Sequence, residues 1–268
     1  MRTLRRAGAL CALALLSACA SGPTWSLLRG QTPQTLFDEG PQRQLAQAVC
    51  DGDARAVARL VAAGADPNGV GRQDQTPLAM GLGCTSVTGT RAILAAGADP
   101  DRPMREQIVP LRYAANIPNV AFLDALLDAG ADPQARPDGA TMMTSLLTMH
   151  DRTGHWRHLD RLLEGGLDVD AYLAPEYASE RAPTYLKVLV GQARCKALEL
   201  VRQKPRRNEL YLLFQAYTGY HPERTKNACA HELVALLEER VGGVAAFEAY
   251  LERTGIADPR YWLREEGA

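Results

Sequence analysis

Three histidines and two aspartates near the middle of the chain are the residues whose types and spacing could bind a metal ion. His155 and His158 stand three residues apart, which would place both on one face of a helix, and His150, Asp151 and Asp160 are close in sequence. The clustered cysteines and histidines of structural zinc sites are absent around them. We therefore interpret this segment as a polar insertion and expect no metal site.

The motifs of the common catalytic sites are missing from the sequence. No serine lies in G-x-S-x-G, and there is no G-x-x-x-x-G-K-[ST] phosphate loop, no H-E-x-x-H and no glycine fingerprint of a dinucleotide site. The formal net charge is only −1, which gives no support for nucleic-acid binding. We expect a non-catalytic protein with no cofactor, no small-molecule substrate and no nucleic-acid partner.

The segment 1–18 has the layout of a secretory signal peptide. Arg2, Arg5 and Arg6 form a positive segment, and an apolar run over residues 7–16 follows. That run is too short to span a bilayer, which takes about 20 residues. Small residues then lead to Cys19.

The segment Leu16-Ser17-Ala18-Cys19 resembles the lipobox of bacterial lipoproteins. In that family the cysteine thiol is acylated and the cysteine becomes the first residue of the mature chain. An ordinary signal peptide that carries a cysteine by coincidence is the alternative. Ala20, rather than Asp, follows Cys19, and the sorting rule of the family then implies a lipid anchor on the periplasmic side of the outer membrane. We interpret residues 19–40, which are rich in glycine and proline, as a tether.

An internal repeat dominates the rest of the chain. One marker recurs at a nearly constant interval, as Gly64-Ala65-Asp66-Pro67, Gly97-Ala98-Asp99-Pro100, Gly130-Ala131-Asp132-Pro133 and the weaker Gly166-Leu167-Asp168-Val169. A second marker keeps the same phase, as Thr76-Pro77-Leu78 and Val109-Pro110-Leu111, with degenerate copies beginning at Thr141 and Thr184. Apolar residues follow the same register, at Leu60, Ile93, Leu126 and Leu162.

Each marker has a physical reason. Threonine before proline favours a helix start, because threonine caps the helix and proline suits its first turn. Glycine after a helix permits the left-handed residue that ends it. A period of about 33 residues with these two markers resembles the ankyrin repeat. The resemblance implies an all-α ankyrin-repeat solenoid of helix-turn-helix repeats with extended loops.

The resemblance covers residues 41–203, as about five repeats of which the fourth and fifth are degenerate. Gly81 and Gly83 lie in the first helix of the second repeat, and we expect each to weaken it by about 1 kcal/mol relative to alanine. Residues 204–268 show helical spacing without repeat markers, and we expect a C-terminal cap of three or four helices.

The four cysteines of the mature domain fall into two pairs. Cys84 follows Cys50 by one position more than the repeat period, and Cys229 follows Cys195 by the same interval. In a stack with this period, the members of each pair occupy nearly equivalent positions in adjacent layers. Because the signal peptide directs the chain to an oxidising compartment, we predict the disulfides Cys50–Cys84 and Cys195–Cys229. Four buried, reduced thiols are the alternative.

Ankyrin proteins bind their partners through loop tips and inner helices. The resemblance nominates five loop residues, Arg72, Arg102, Arg105, Glu106 and Arg136, and two residues of an inner helix, Arg112 and Asn116. Tyr172 and Tyr177, in the long loop 171–181, are candidate binding anchors. The alternatives are charges that only keep the protein soluble and tyrosines that fold back onto the repeats.

These features predict a module that binds a periplasmic protein. Some bacterial immunity proteins against type VI secretion lipase effectors are periplasmic lipoproteins with ankyrin-like repeats, and this chain resembles them in both features. That resemblance implies an immunity protein that binds and neutralises a secreted lipase effector. Periplasmic ankyrin proteins that support oxidative-stress enzymes are similar in their repeats, so an envelope scaffold is the alternative.

Overall fold

A computed structural model describes residues 30–104, 108–134, 139–171, 184–206 and 208–260. These residues form fourteen α-helices and no β-strand, so the predicted all-α class is confirmed. Met104 and Ile108 form an isolated antiparallel β-bridge. None of the helices in the described part of the chain has both the length and the apolar character needed to cross a membrane. The chain divides into two compact units, one up to Ala114 with Ala121–Ala131, the other comprising Ala115–Val120 and the residues from Asp132 onward.

The first unit consists of helix pairs. Its helices are α1 (Pro33–Leu36), α2 (Pro41–Asp51), α3 (Ala54–Ala62), α4 (Pro77–Gly83), α5 (Val87–Ala95), α6 (Pro110–Ala114) and α7 (Ala121–Asp128), with a short 3-10 turn at Arg72–Asp74. Within each pair the two helices pack on each other: α2 on α3, α4 on α5 and α6 on α7. Successive pairs also pack on each other: the first helix of one pair contacts the first helix of the next, as in α2 on α4, and the second helices do the same, as in α3 on α5. Ile93 and Leu126, which keep the repeat register, are buried, whereas Leu60 is half-buried.

The packed part of the chain begins before residue 41. Thr32 and Pro33 open the short helix α1, and Leu36 and Phe37 at its end are 1% and 2% exposed. Both belong to the same core cluster as Met80. The predicted tether boundary at residue 40 is therefore wrong, because two large apolar side chains before it are removed from water.

Side-chain caps start several of the predicted helices. Thr76 accepts a hydrogen bond from the backbone N–H of Ala79, and Thr184 accepts one from Lys187, at 3.1 and 3.2 Å. Thr184 thus occupies the predicted position at the start of a helix. Thr141 does not, because its helix already begins at Gly139.

Two glycines allow α5 to approach α2 and α4 closely. A Cβ atom on Gly89 would lie 1.8 Å from the carbonyl oxygen of Val49, and one on Gly81 would lie 2.7 Å from Oγ1 of Thr90. Val49 and Thr90 are fully buried. Gly81 therefore does more than weaken its helix, because it makes room for α5, the second helix of its own pair.

The second unit also consists of consecutive helices. It contains α8 (Gly139–Thr153), α9 (Arg157–Glu164), α10 (Tyr185–Gln192), α11 (Arg194–Gln203), α12 (Glu209–Tyr217), α13 (Ala228–Val241) and α14 (Val244–Thr254). Helix α10 packs on α11 and α12, and α13 packs on α11 and α12. The pair α12–α13 thus has the same packing pattern as the repeat pairs, although its sequence has no repeat marker. The three helices α12–α14 agree with the predicted helical C-terminal segment.

The cysteines pair as predicted. Cys50 and Cys84 lie at disulfide-bonding distance with Cα atoms 5.3 Å apart, and Cys195 and Cys229 do so with Cα atoms 4.9 Å apart. Both separations lie in the range that a disulfide requires.

Candidate protein-binding surface

The loops that follow α3, α5, α7 and α9 begin with the same hydrogen-bonded turn. In each, a glycine with a φ of +90° to +100° ends the helix, at Gly64, Gly97, Gly130 and Gly166. The next residue then donates its backbone N–H to a carbonyl five residues earlier, at 2.9–3.1 Å, in the pairs Ala65–Leu60, Ala98–Ile93, Ala131–Leu126 and Leu167–Leu162. This is the Schellman arrangement, which satisfies carbonyls that would otherwise lack partners. The weaker fourth copy of the sequence marker adopts the same backbone as the other three.

The aspartate of each marker fixes the residues that follow. Its Oδ1 atom accepts the backbone N–H two residues later at 2.8–3.0 Å, in the pairs Asp66–Asn68, Asp99–Asp101, Asp132–Gln134 and Asp168–Asp170. Such a side-chain turn replaces a backbone turn and gives each loop a defined starting direction.

Amide side chains link one loop to the next. In the first unit, Asn68 donates to the carbonyl of Gly97 at 2.9 Å and accepts from the N–H of Asp99 at 2.7 Å. In the second unit, Gln134 makes the equivalent contact with the carbonyl of Gly166 at 3.4 Å. Gln42 also pairs with the backbone of Asp66, through both its amide nitrogen and its amide oxygen. Side chains near the loop bases therefore tie the first loop to the second and the third loop to the fourth.

The nominated residues have different surroundings. Arg72 donates to Asp38 at 2.9 Å, so the first loop is tied to the segment after α1. Arg102 is exposed, just beyond the turn at Asp99. Arg112 is half-buried on α6. The remaining loop candidates, Arg105, Glu106, Arg136, Tyr172 and Tyr177, lie outside the described residues.

Asn116 does not lie on a helix as predicted. Helix α6 ends at Ala114, and Asn116 is half-buried in the turn that follows. The reason is local, because Pro118 disfavours helical backbone at the residue before it. Asn116 thus belongs to the connection between α6 and α7 rather than to an inner helical face.

Sequence reasoning missed a charged cleft in the second unit. The cleft has a volume of about 1060 Å³ and lies between the turn at Gly166–Asp170 and the end of α11 with Lys204–Arg206. The side chain of Arg206 is 4% exposed, and its guanidinium lies 3.5 Å from a carboxylate oxygen of Asp170. Burial raises the pKa of Asp170, and the charge of Arg206 opposes that rise. No sequence pattern pointed to this pair, because the two residues are far apart in sequence and lie in differently shaped loops.

One buried ammonium group beside the cleft contacts two of its carboxylates. The ammonium group of Lys196 is almost fully buried and contacts Asp160 and Glu199 at 2.5 and 2.9 Å. These hydrogen bonds and charges raise the pKa of Lys196 against the opposing effect of burial. Lys196 joins α9 to α11, so the ion pair positions helices as well as balancing charge.

The three histidines take part in local packing. His158 is 2% exposed, and its Nε2 lies 2.8 Å from the carbonyl oxygen of Ile117. The His150 ring stacks on Trp156 with centroids 3.9 Å apart, and His155 lies beside Thr153. Within the described ranges, no group of three or more histidine, cysteine, aspartate or glutamate residues is arranged to hold a metal ion.

Two tyrosines of α12 are part of the core. Tyr211 and Tyr217 are buried, and Tyr217 packs against Phe247 of α14 with ring centroids 5.1 Å apart. Burial, together with the hydrogen bond to Glu238, raises the pKa of the Tyr217 hydroxyl. These aromatic rings therefore stabilise the C-terminal helices and are not available to a partner.

No protein-family model matches the chain, and no curated protein matches it.

Proposed function

We propose that this chain is a non-catalytic, ankyrin-type repeat protein that binds another protein in the periplasm, and that a lipid on Cys19 anchors it to the outer membrane. The observation that carries the binding proposal is the set of four hydrogen-bonded loop bases, which repeat the same geometry while the residues beyond them differ. Loops with a regular base and variable tips suit a binding surface. A rigid scaffold holds the side chains of such loops in place before the partner binds, so binding loses less conformational entropy.

The cysteine pairs support the proposed compartment. Both pairs lie at bonding distance, and disulfides persist in oxidising compartments such as the bacterial periplasm. The resemblance of residues 16–19 to a lipobox supports the proposed anchor, because several acyl chains on Cys19 would hold the mature chain to a membrane far better than a single acyl chain. The resemblance to immunity lipoproteins makes a secreted lipase effector the partner class that we would test first.

The test compares two triple charge reversals on the full chain. The first changes Arg102, Arg105 and Arg136 to glutamate in the loops. The second, as a matched control, changes Arg55, Arg59 and Arg91, which are exposed on α3 and α5 and alter the net charge equally. Protein captured from the envelope is identified by mass spectrometry, and its affinity for each variant is measured. We expect the loop variant alone to lose binding, with helical circular dichroism unchanged in both.

Three outcomes would count against parts of the proposal. Loss of binding only in the control variant would indicate that the binding site lies on α3 and α5 rather than on the loops. Equal affinity of all three proteins would move it away from these loops altogether. A captured oxidative-stress enzyme, with no inhibition of any lipase, would favour the scaffold over the immunity protein.

A further inference from the structure

The two disulfides lie at opposite ends of their helices. Cys195 and Cys229 are each the second residue of a helix, in α11 (Arg194–Gln203) and α13 (Ala228–Val241). Cys50 is the penultimate residue of α2, and Cys84 is the C-cap of α4. The loop that each bridge closes has the same sequence separation of 34 residues. The chain-entropy contribution of the two bridges is therefore equal, and any difference between them comes from their surroundings in the folded protein.

The surroundings of Cys195 and Cys229 favour sulfur as a thiolate. Backbone N–H groups and the positive end of the helix dipole lie at a helix N-terminus and lower the pKa of a thiol there. Helix α11 has no side-chain cap, so none of its first N–H groups is taken by a capping side chain. In α13, by contrast, Oδ1 of Asn227 already accepts from the N–H groups of Cys229 and Ala230 at 3.0 and 3.3 Å, and the same oxygen lies 3.9 Å from Sγ of Cys195. The stabilisation of a thiolate therefore comes from the uncapped N–H groups of α11 and from the two helix dipoles. Cys195 is exposed and Cys229 is half-buried, so solution reagents reach this bridge from the side of Cys195.

The surroundings of Cys50 and Cys84 have the reverse effect. Both residues are half-buried and pack against the apolar cluster that includes Leu36, Phe37 and Met80. The sulfur of Cys50 lies 3.6 Å from the carbonyl oxygen of Met80, at the negative end of helix α4. A thiolate here would face carbonyl oxygens and apolar side chains, both of which disfavour the charged form.

We propose that Cys195–Cys229 is a thiol–disulfide exchange site that dithiols reduce under conditions in which Cys50–Cys84 remains intact as a structural bridge. Exposed disulfides whose reduced sulfurs are stabilised are the labile ones, because a low thiol pKa improves the leaving group and stabilises the reduced product. The ligand class of this site is a dithiol, either a small molecule or the cysteine pair of an exported oxidoreductase.

The exchange has two balanced steps. A thiolate of the dithiol attacks Sγ of exposed Cys195, which forms a mixed disulfide and breaks the bond to Cys229, whose sulfur leaves as a thiolate at the start of α13. The second thiol of the reductant loses its proton to solvent and attacks the other sulfur of the reductant, which is held in the mixed disulfide. Cys195 is then released as a thiolate, and the reductant becomes a cyclic disulfide. Two electrons pass to the protein, and the two thiolates take up protons according to the pH.

Reduction would leave α11 and α13 in contact. The helices pack closely along their lengths, and Arg202 of α11 forms an ion pair with Glu232 of α13. Arg240 of α13 also contacts Glu209 of α12 at 3.1 Å. The reduced protein should therefore keep its helical structure, so that the bridge can change state without unfolding.

The experiment equilibrates the full, oxidised chain with graded ratios of reduced to oxidised dithiothreitol. Free thiols are trapped with one alkylating label and, after complete reduction, the remainder with a second, and peptide mass spectrometry gives the reduced fraction of each pair. An equilibrium measurement is not affected by how easily the reagent reaches each sulfur. We expect Cys195–Cys229 to be half-reduced at a ratio at least about tenfold lower than Cys50–Cys84, with circular dichroism unchanged at that midpoint.

Two double variants test whether each midpoint belongs to its own bridge. Replacing Cys50 and Cys84 by serine should leave the midpoint of the second bridge unchanged, and replacing Cys195 and Cys229 should leave the first unchanged. Equal midpoints in the unmodified chain, the opposite order, or loss of helical signal with reduction of Cys195–Cys229 would each overturn the proposal. The unmodified chain contains both bridges, so the comparison stands even where a variant fails to fold.

Discussion

Replacing Gly89 by alanine should destabilise the protein, although alanine is the better helix former. Gly89 lies in α5 with a φ that any residue tolerates, and alanine gains about 1 kcal/mol over glycine in a helix interior. Its Cβ atom, however, would lie 1.8 Å from the carbonyl oxygen and 2.7 Å from the carbonyl carbon of Val49. Both atoms belong to the backbone of α2, so no rotation of a side chain relieves the contact.

The cost follows from the displacement that this contact requires. An ordinary C···O approach is about 3.3 Å, so α5 would have to move roughly 1.5 Å from α2. Gaps of about 0.5–1 Å already forfeit about a quarter to a half of the dispersion energy of the atoms that line them. Overpacking of this kind costs about 1–3 kcal/mol and more where backbone is involved, so we expect a net loss of about 2 kcal/mol.

Gly191→Ala is the matched control. Gly191 lies in α10, and among the described residues a Cβ atom there would have only Oε1 of Gln215 within reach, at 4.0 Å. This substitution should therefore stabilise the protein by about 0.5–1 kcal/mol through helix propensity alone. Denaturant unfolding of the oxidised proteins, followed by far-ultraviolet circular dichroism, compares the two. If Gly89→Ala is as stable as Gly191→Ala, the close approach of α5 to α2 is refuted.

Three further predictions concern the loop bases, the C-terminus and the anchor. Asn68→Ala removes the hydrogen bonds to Gly97 and Asp99 and should cost about 1–2 kcal/mol in denaturant unfolding, and an unchanged midpoint would show that these bonds do not hold the loops. Arg260→Met should cost about 1–3 kcal/mol, because this residue is 3% exposed, pairs with Asp258 at 2.8 Å and lies 5.6 and 5.2 Å from the ring centroids of Tyr217 and Phe247. A loss below about 0.5 kcal/mol, on the order of a surface substitution, would contradict its role in holding the C-terminal helices together. Cys19→Ser should release the protein from the membrane fraction or block its processing, and a Cys19→Ser variant that is processed and still sediments with outer membrane would disprove the lipid anchor.

Local signals determined much of this protein. The glycine and aspartate of each marker produced four equivalent turns, since both act on their own backbone within a few residues. Thr76 and Thr184 cap the helices that follow them for the same reason. The spacing of the cysteines also predicted their pairing, because a constant repeat length converts sequence separation into spatial proximity.

Tertiary structure decided what depends on atoms distant in sequence. The role of Gly89 depends on the carbonyl oxygen of Val49, which belongs to another helix. The ion pair of Arg206 and Asp170 joins loops that have no common sequence pattern, and Leu36 packs into the core although its segment resembles a tether in composition. In each case, the role of the residue depends on a neighbour that comes into contact with it only when the chain packs. Helical periodicity predicts which face of a helix is buried, but it does not predict which atoms contact that face.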